Sequence, residues 1–301
     1  MRHLTTLRYV DAIARAGSIR KAAEMLALTS TALNRRILAM EDELGVQIFE
    51  RLPRGVRLSS AGEILIHHIR NQISDMERVK SQIADLSGVR RGTVSIACSQ
   101  ALLPFFLPEQ ITRYRREHPG VNFRVHLRDR AAAEQALVDH TADLALVFEP
   151  IRMAEFHTIL SVPQPLYAVM SEDHPLTAGD TIRLKECLQY PVALPTRSYG
   201  VRHIIDTALI NSNLPFEAVV ESDSFEFLRS HAVEEGIISF QIPIGLPQAN
   251  TVPGVAIRPV DERDVPLGLL YMGQLRDRTL PVAVARFAEQ VAKVLEERYG
   301  R

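Results

Sequence analysis

The sequence predicts a winged helix-turn-helix (helices with a small β wing) at the N-terminus, then a long linker helix, then an α/β domain. Three observations lead to this fold class: short helices in the first 45 residues, a helical repeat over residues 59–87, and strands that alternate with helices after residue 92. The chain has 301 residues, 46% of them hydrophobic and 24% charged. This balance is typical of a globular protein, and the length is sufficient for two domains.

The spacing of apolar residues defines the first three helices. Gly17 is expected to end the first helix and Gly45 the third, because glycine readily takes the left-handed conformation that closes a helix. The small side chains of Ala22 and Ala23 let the second helix approach its neighbours closely. Two short helices joined by about three or four residues, with alanine at their crossing, are typical of a helix-turn-helix.

The buried stripe of the third helix decides which residues face solvent. With Leu33 and Ile37 inward, the start of the helix presents hydroxyl, amide and guanidinium groups. These outward residues are Ser30, Thr31, Asn34 and Arg35, with Arg36 beside them. Such side chains bind base edges and phosphates in a major groove. Any surface helix can carry arginines, but these lie on the element that a helix-turn-helix inserts into DNA.

A basic hairpin is predicted after the third helix. Short apolar segments flank a turn at Pro53-Arg54-Gly55, and Arg51, Arg54 and Arg57 extend from the hairpin. A hairpin in this position is a wing, which contacts phosphates or the minor groove. Residues 1–58 carry ten Lys/Arg against six Asp/Glu, whereas the whole chain has a net charge of −1. This distribution indicates a polyanion partner, although ordinary scatter of surface charge would also produce it.

Together these segments resemble the N-terminal domain of LysR-type transcriptional regulators. The matching runs, in order, are GSIRKAAEML, TSTALNRRI, AMEDELGVQIFER and LSSAGEIL. The resemblance extends over essentially the whole chain. It implies a sequence-specific transcriptional regulator, and not an enzyme, that binds double-stranded operator DNA and is controlled by a small-molecule effector.

The recognition helix departs from the pattern of the family at three positions. Where the family usually has Gln, Pro and a later Ser, this chain has Ser30, Thr31 and Asn34. A short serine cannot make the bidentate contact to adenine that glutamine makes. The operator preference is therefore expected to differ from that of typical members.

A long linker helix is expected over residues 59–88. Apolar residues recur there in a heptad-like seam, which Lys80 interrupts: Ile66, Ile69, Ile73, Met76 and Ile83. The helix could pack on its own domain, but a second copy is the simplest partner for it. The resemblance implies a homodimer through this helix, and commonly a homotetramer. The adjacent His67 and His68 point to different faces, so no metal site is expected.

The C-terminal part of the chain alternates strands and helices, which predicts parallel-type α/β sheets. The family's effector domain resembles type 2 periplasmic binding proteins, with two lobes that the chain connects twice. The expected division is a DNA-binding domain at 1–58, a linker at 59–88 and an effector domain at 89–301. Within the latter, lobe I covers about 89–161 and 268–301, and lobe II about 162–267.

Ligands of such sheets lie at the carboxyl ends of strands and near helix N-termini, which favour anions. The effector is therefore expected to be a small polar anion, such as a carboxylate. The candidate residues in the corresponding loops are Ser99, Gln100, Arg128, Phe148, Thr196, Ser198, Tyr199 and Phe240. Arg128 and the neighbouring Arg197 could equally form surface salt bridges. Cys98 lies beside these loops, but a buried structural cysteine explains it as well as a redox role does.

Two other classes of protein fit the sequence less well. An enzyme is disfavoured because the chain has no nucleophile elbow, zinc-protease, P-loop or dinucleotide-binding motif. A solute-binding transport protein is disfavoured because the N-terminus has no signal-peptide pattern. No membrane span, cofactor or metal is expected, and the protein is expected in the cytoplasm, at the nucleoid. The sequence does not identify the effector, the operator or the direction of regulation.

Overall fold

A computed structural model describes most of the chain. The described residues are 2–86, 91–151, 153–212, 218–247 and 252–300. They form two compact units, Met1–Ile83 and Ala84–Arg301, and each unit is considered by itself below. Among the described residues, no helix has the length and apolarity needed to cross a membrane.

The N-terminal unit consists of four helices and a two-stranded hairpin. In chain order these are α1 (Arg2–Ala16), α2 (Ile19–Met25), α3 (Ser30–Leu44), β1 (Phe49–Leu52), β2 (Gly55–Leu58) and α4 (Ser60–Leu86). Ser18 caps α2 by accepting a hydrogen bond from the backbone N–H of Lys21, and Thr29 caps α3 in the same way. Gly45 ends α3 with a φ of 68°, in the left-handed region that favours glycine.

The core of this unit contains the predicted stripes of all three short helices. Ile13, Leu33 and Ile37 are almost fully buried, as are Ile66 and Ile69 of α4. The first part of the linker seam therefore packs on its own unit. The apolar spacing of α3 also predicts an inward Leu44, but its side chain is 47% exposed, because α3 ends there and its last turn extends past the core.

The C-terminal unit contains two five-stranded sheets, which define a first and a second lobe. The first-lobe elements are β3 (Gly92–Cys98), α5 (Phe106–Glu117), β4 (Val121–Leu127), α6 (Arg130–Val138), β5 (Leu144–Phe148), β6 (Phe156–Gln164), β12 (Gly268–Leu275) and α10 (Val282–Tyr299). The second-lobe elements are β7 (Tyr167–Ser171), α7 (Leu184–Cys187), β8 (Val192–Pro195), α8 (Gly200–Ser212), β9 (Val220–Ser222), α9 (Phe225–Glu235), β10 (Ile238–Gln241) and β11 (Val255–Pro259).

Both sheets are mixed: they are mainly parallel, as expected, but each also contains one antiparallel strand. The strand orders are β4-β3-β5-β12-β6 and β11-β7-β10-β8-β9. In each sheet four strands run in one direction, and β12 or β7 runs antiparallel to both of its neighbours. Strand β7 follows the first connection between the lobes and β12 follows the second, where the chain enters each sheet without an intervening helix. Strands β6 and β11 were not predicted, and β6 continues to Gln164, past the expected lobe boundary at 161.

The last helix, α10, packs on the first lobe against β3, β6 and α5. Its Phe287 is fully buried and lies edge-to-face with the rings of Tyr114 and Phe123. The Tyr114 hydroxyl donates a 3.0 Å hydrogen bond to the carbonyl oxygen of Ala283. Edge-to-face aromatic pairs stabilise a core beyond the area that they bury. This cluster therefore anchors the C-terminal helix on the lobe that begins the unit.

We predict that Gly62→Ala destabilises the N-terminal unit by about 3 kcal/mol, since overpacking is costly in a closed core. A Cβ at position 62 would lie 2.1 Å from the carbonyl oxygen of Ile48. Gly45→Ala is the control: it would contact nothing within 4 Å and costs about 1 kcal/mol through its left-handed backbone. Urea unfolding of the full chain, followed by circular dichroism, measures both. Equal losses for the two variants would contradict the prediction.

Candidate functional site

The start of α3 places the predicted DNA-contacting side chains on one open face. Ser30, Thr31 and Arg35 are exposed, while Leu33 between them is fully buried. Thr29 accepts a 3.2 Å hydrogen bond from the N–H of Ala32, which fixes where the helix begins. The burial of Leu33 and the cap together hold the hydroxyl and guanidinium groups outward.

Arg36 and Asn34 have intramolecular partners. The guanidinium carbon of Arg36 lies 5.2 Å from the ring centroid of Tyr9 in α1, a cation–π distance. Asn34 is half-buried, and its Oδ1 accepts a 3.0 Å hydrogen bond from Nη2 of Arg51 in β1. The structure therefore directs Arg36 towards α1 and Asn34 towards the wing, whereas Arg35 extends away from both.

The wing is a tight antiparallel hairpin, with Leu52 paired to Gly55. The N–H of Val56 donates a 2.9 Å hydrogen bond to the carbonyl of Gly17. A Cβ on Gly55 would lie 2.3 Å from that carbonyl oxygen, so only glycine fits where the hairpin meets the turn before α2. The wing is thus docked on the helix-turn-helix.

The three wing arginines differ in their surroundings. Arg57 forms a 2.7 Å ion pair with Glu50 on the paired strand, and Arg51 donates to Asn34. Arg54 lies at the exposed tip of the hairpin, without a hydrogen bond or ion pair within the described part of the chain. Arg54 is therefore the wing cation with no intramolecular interaction to give up.

Glu41 also connects the recognition helix to the wing, a contact that was not predicted from the sequence. Its Oε1 accepts hydrogen bonds of 2.7 and 3.1 Å from the N–H groups of Ile48 and Phe49. An acidic residue one turn before a helix ends, followed by a short loop and a buried strand, was the available signal. Glu41 fixes the distance between α3 and β1.

Gln100 joins the two lobes of the C-terminal unit. It follows β3 of the first lobe, and its Nε2 donates a 3.1 Å hydrogen bond to the hydroxyl of Tyr199 in the second. Its Oε1 accepts a 2.9 Å hydrogen bond from the N–H of Phe225, the first residue of α9. The Tyr199 and Phe225 rings lie 5.3 Å apart. Two predicted effector residues, Gln100 and Tyr199, are thus in direct contact across the cleft.

Hydroxyl groups line the second lobe beside this contact. The Thr196 hydroxyl donates a 2.5 Å hydrogen bond to Oδ1 of Asp223, and its oxygen lies 3.1 Å from that of Ser198. Burial raises the pKa of the Tyr199 hydroxyl, and the nearby Asp223 carboxylate raises it further. Tyr199 is therefore a neutral hydrogen-bonding group at physiological pH. Asp223 and the N–H at the start of α9 were not among the predicted site residues; the serine cap before FEF was the signal for the latter.

The remaining predicted effector residues lie in different environments. Ser99 is nearly buried at the end of β3, and Arg128 donates a 2.9 Å hydrogen bond to the carbonyl of the preceding Leu127. Within the described residues neither Arg128 nor Arg197 pairs with a carboxylate, so the alternative of surface salt bridges is not realised. Phe148 and Phe240 are core residues, 2% and 0% exposed, and present no ring face to a ligand in this conformation.

Phe148 instead fills the space beside two glycines. A Cβ on Gly268 would lie 2.1 Å from Cζ of the Phe148 ring, and one on Gly200 would lie 2.4 Å from its carbonyl oxygen. Gly200 begins α8 of the second lobe, so the lobes approach each other here without room for a methyl group. Sequence position alone placed Phe148 at a strand end but not inside this close contact.

The two cysteines are buried free thiols. Burial raises the pKa of Cys98 to about 12 and, as the main cause, that of Cys187 to about 12. Such thiols stay protonated and unreactive at neutral pH. No group of three or more His, Cys, Asp or Glu among the described residues is arranged to hold a metal ion.

Two family models cover nearly the whole chain. The one described as "Bacterial regulatory helix-turn-helix protein, lysR family" matches residues 4–63, and the "LysR substrate binding domain" matches residues 87–296. A RuBisCO operon transcriptional regulator of Allochromatium vinosum is 29% identical over 203 residues, 67% of each protein. The activator CmpR of Synechocystis is 25% identical over 218 residues, which cover 72% of this chain and 71% of CmpR.

Solved structures share the fold. A full-length OxyR variant from Pseudomonas aeruginosa superposes with a TM-score of 0.70 at 22% identity, covering 96% of this chain and 97% of that one. CbnR in complex with its target DNA gives a TM-score of 0.55 at 17% identity, with 96% and 98% covered. The effector-binding domain of QuiR in complex with shikimate gives 0.59 at 16% identity, with 69% and 99% covered.

The helix-turn-helix with its wing and the two-lobed α/β unit thus occur together in one chain, and each is matched by a LysR family model. The protein belongs to the LysR family of transcriptional regulators, and it is a DNA-binding regulator with an effector-binding domain rather than an enzyme.

Proposed function

We propose that the exposed face of α3 reads base edges in a major groove while the wing holds the DNA backbone. Ser30, Thr31, Asn34 and Arg35 are the base-contacting residues in this proposal. Arg36, Arg51, Arg54 and Arg57 act on phosphates or the minor groove. The observation that carries it is the burial of Leu33 and Ile37 at 0% and 2% exposure, because it turns the polar residues of α3 outward.

The proposed DNA residues divide into two groups by their intramolecular contacts. Arg35 and Arg54 are exposed, and neither has a hydrogen bond or ion pair within the described residues. Arg36 and Arg57 already interact with Tyr9 and Glu50. DNA binding would have to exchange or share those contacts. Arg35 and Arg54 are therefore expected to contribute most to affinity.

We further propose that a small polar anion binds between the lobes. The first N–H of α9, on Phe225, donates to Gln100, and helix N-termini favour anions. The hydroxyls of Ser99 and Tyr199 supply further donors, and Arg128 a cation. Those of Thr196 and Ser198 would join them by turning away from their present partners, Asp223 and the Thr196 oxygen. The first-lobe Gln100 carboxamide occupies the position that a carboxylate would take. Effector binding then requires Gln100 to move, which couples the ligand to the relation between the lobes.

The regulator is proposed to act as a homodimer through α4, and as a homotetramer of two such dimers. Val79 and Ile83 on the second half of α4 are 37% and 60% exposed. Pairing with a second copy would bury these side chains. A dimer also brings two recognition helices to two half-sites. We propose that it acts in the cytoplasm, at the nucleoid, where its DNA partner would lie.

We predict that Arg35→Ala lowers affinity for a genomic fragment selected by the wild-type protein by about tenfold or more, the loss expected for one specific contact. Arg54→Ala is expected to weaken binding equally across sequences and to reduce its salt dependence by about one phosphate contact. Fluorescence anisotropy at several salt concentrations measures both effects.

The matched control for these variants is Arg286→Ala. Arg286 is an exposed arginine of α10 that pairs with Glu289, and its loss alters net charge by the same amount. Its DNA affinity should stay at the wild-type value. Wild-type affinity in both Arg35→Ala and Arg54→Ala would show that the DNA face is assigned to the wrong residues.

We also predict that the signal is a ligand and not thiol oxidation. With a pKa of about 12 for both cysteines, the thiolate fraction at pH 8 is on the order of one in ten thousand. Iodoacetamide should modify neither Cys98 nor Cys187 within minutes in the folded protein, and both in urea. Rapid labelling of the folded protein at either position, detected by mass spectrometry, would contradict this.

A further inference from the structure

A hydrogen bond within the N-terminal unit links two residues that the proposed DNA interface assigns to different tasks. Nη2 of Arg51, on the wing strand β1, donates to Oδ1 of Asn34, on the recognition helix α3, over 3.0 Å. Arg51 is exposed and Asn34 is half-buried. The contact joins residues seventeen positions apart, so it is a tertiary contact between the helix and the wing.

The chemistry of the pair fixes the orientation of the asparagine amide. A guanidinium group carries only donors, so the atom of Asn34 that faces it must be the acceptor, Oδ1. The amide nitrogen Nδ2, which carries two hydrogens, then lies on the other side of the planar group. An Asn side chain without this neighbour would present either atom.

The backbone around Arg51 is held from two directions. Glu41 of α3 accepts hydrogen bonds from Ile48 and Phe49, at the start of β1. Arg51 is paired with Val56 on β2, and the N–H of Val56 donates to the carbonyl of Gly17. The wing strand therefore cannot shift along α3 without breaking these bonds. The guanidinium group of Arg51 remains within reach of Asn34.

From this geometry we propose that Arg51 is a positioning residue that makes Asn34 a hydrogen-bond donor towards DNA. The proposal rests on the assignment of α3 as the reading helix. Asn34 then contacts an acceptor on a base edge, which is guanine O6 or N7, adenine N7 or thymine O4. The bidentate contact to adenine needs both amide atoms on the base edge, and Oδ1 is turned towards Arg51. At one position of each half-site, Asn34 therefore favours guanine, which presents two acceptors, and disfavours cytosine, which presents only a donor.

The test is a selection from a random DNA library with the full-length protein and five variants. These are Asn34→Ala, Asn34→Asp, Arg51→Ala, Arg51→Lys and Arg54→Ala. Wild type should enrich guanine and deplete cytosine at one position per half-site. Asn34→Ala and Arg51→Ala should each lose about tenfold discrimination at that same position. A further variant that combines Asn34→Ala with Arg51→Ala, the double variant, should lose no more than either single variant.

Two variants separate positioning from a simple phosphate contact. Arg51→Lys keeps a cationic donor facing Oδ1 and should retain part of the base preference. Asn34→Asp keeps the acceptor facing Arg51 but replaces the outward donor with an acceptor. At the same position it should shift the preference away from guanine to cytosine or adenine, whose exocyclic amino groups donate. Arg54→Ala should weaken binding while leaving the preferred bases unchanged. Circular dichroism confirms that each variant is folded.

Three outcomes would overturn the inference. They are a uniform loss of affinity in Arg51→Ala with the base preference intact, losses that add in the double variant, and an unchanged preference in Asn34→Asp. In each of these cases α3 still reads DNA, since Arg35→Ala and Asn34→Ala remain impaired. If neither of those two variants is impaired, the proposed DNA face itself is wrong and the inference fails with it.

Discussion

The carboxamide of Gln100 joins the two lobes of the C-terminal unit, and the proposed response to an effector depends on it. It leaves the first lobe at the end of β3 and makes two hydrogen bonds to the second, with the hydroxyl of Tyr199 and the N–H of Phe225. A buried donor without a partner costs roughly 1–3 kcal/mol, so the Phe225 N–H needs an acceptor in the closed cleft. Gln100 supplies that acceptor from within the chain, and an anionic effector would supply a stronger one.

Close packing beside Gln100 makes the closed arrangement well defined. Gly200 leaves no space for a methyl group against Phe148, and a Cβ on Gly245 would lie 3.1 Å from Ala101 of the first lobe. A tightly packed contact has discrete arrangements and does not deform gradually. A ligand that displaces Gln100 therefore shifts the lobes between states. This is the property that a regulator needs to convert binding into a change at the DNA.

The N-terminal unit, by contrast, is held in a single arrangement by hydrogen bonds between its elements. Glu41 joins α3 to β1, and the Ser59 hydroxyl donates a 2.6 Å hydrogen bond to the carbonyl of Gln47 while accepting one from the N–H of Gly62 at 3.0 Å. Recognition helix, wing and the start of α4 are thereby one rigid body. Base reading requires side chains held in place before DNA arrives, and this network provides that.

Local sequence patterns predicted the helix faces and turns, but they did not predict contacts between residues that are far apart in the chain. The inward face of α3, the glycines that end α1 and α3 and the wing turn were predicted because each signal lies within a few residues. Strand β6 was missed because it follows β5 in the chain without an intervening helix and has mixed exposure along its length. The partners of Gln100 lie 99 and 125 positions away, and the partner of Asn34 lies 17 positions away. Those of Glu41 lie seven and eight positions away, beyond the end of α3. Side-chain pairing of this kind follows only from the fold. The burial of Phe148 also follows only from the fold. Phe148 ends a strand, a position where residues of α/β sheets often contact ligands. Here the second lobe packs against it and encloses its ring.

The most direct test of whether Gln100 holds the two lobes together is amide hydrogen exchange at Phe225. It is measured in the effector-free full chain, for wild type and for Gln100→Ala. Loss of Gln100 should speed exchange of the Phe225 amide. The Phe227 amide, which donates to the Ser224 side chain in the same helix, should exchange as in wild type. Unchanged exchange at Phe225 would mean that Gln100 does not hold the lobes together, and the proposed competition between Gln100 and the effector would fail.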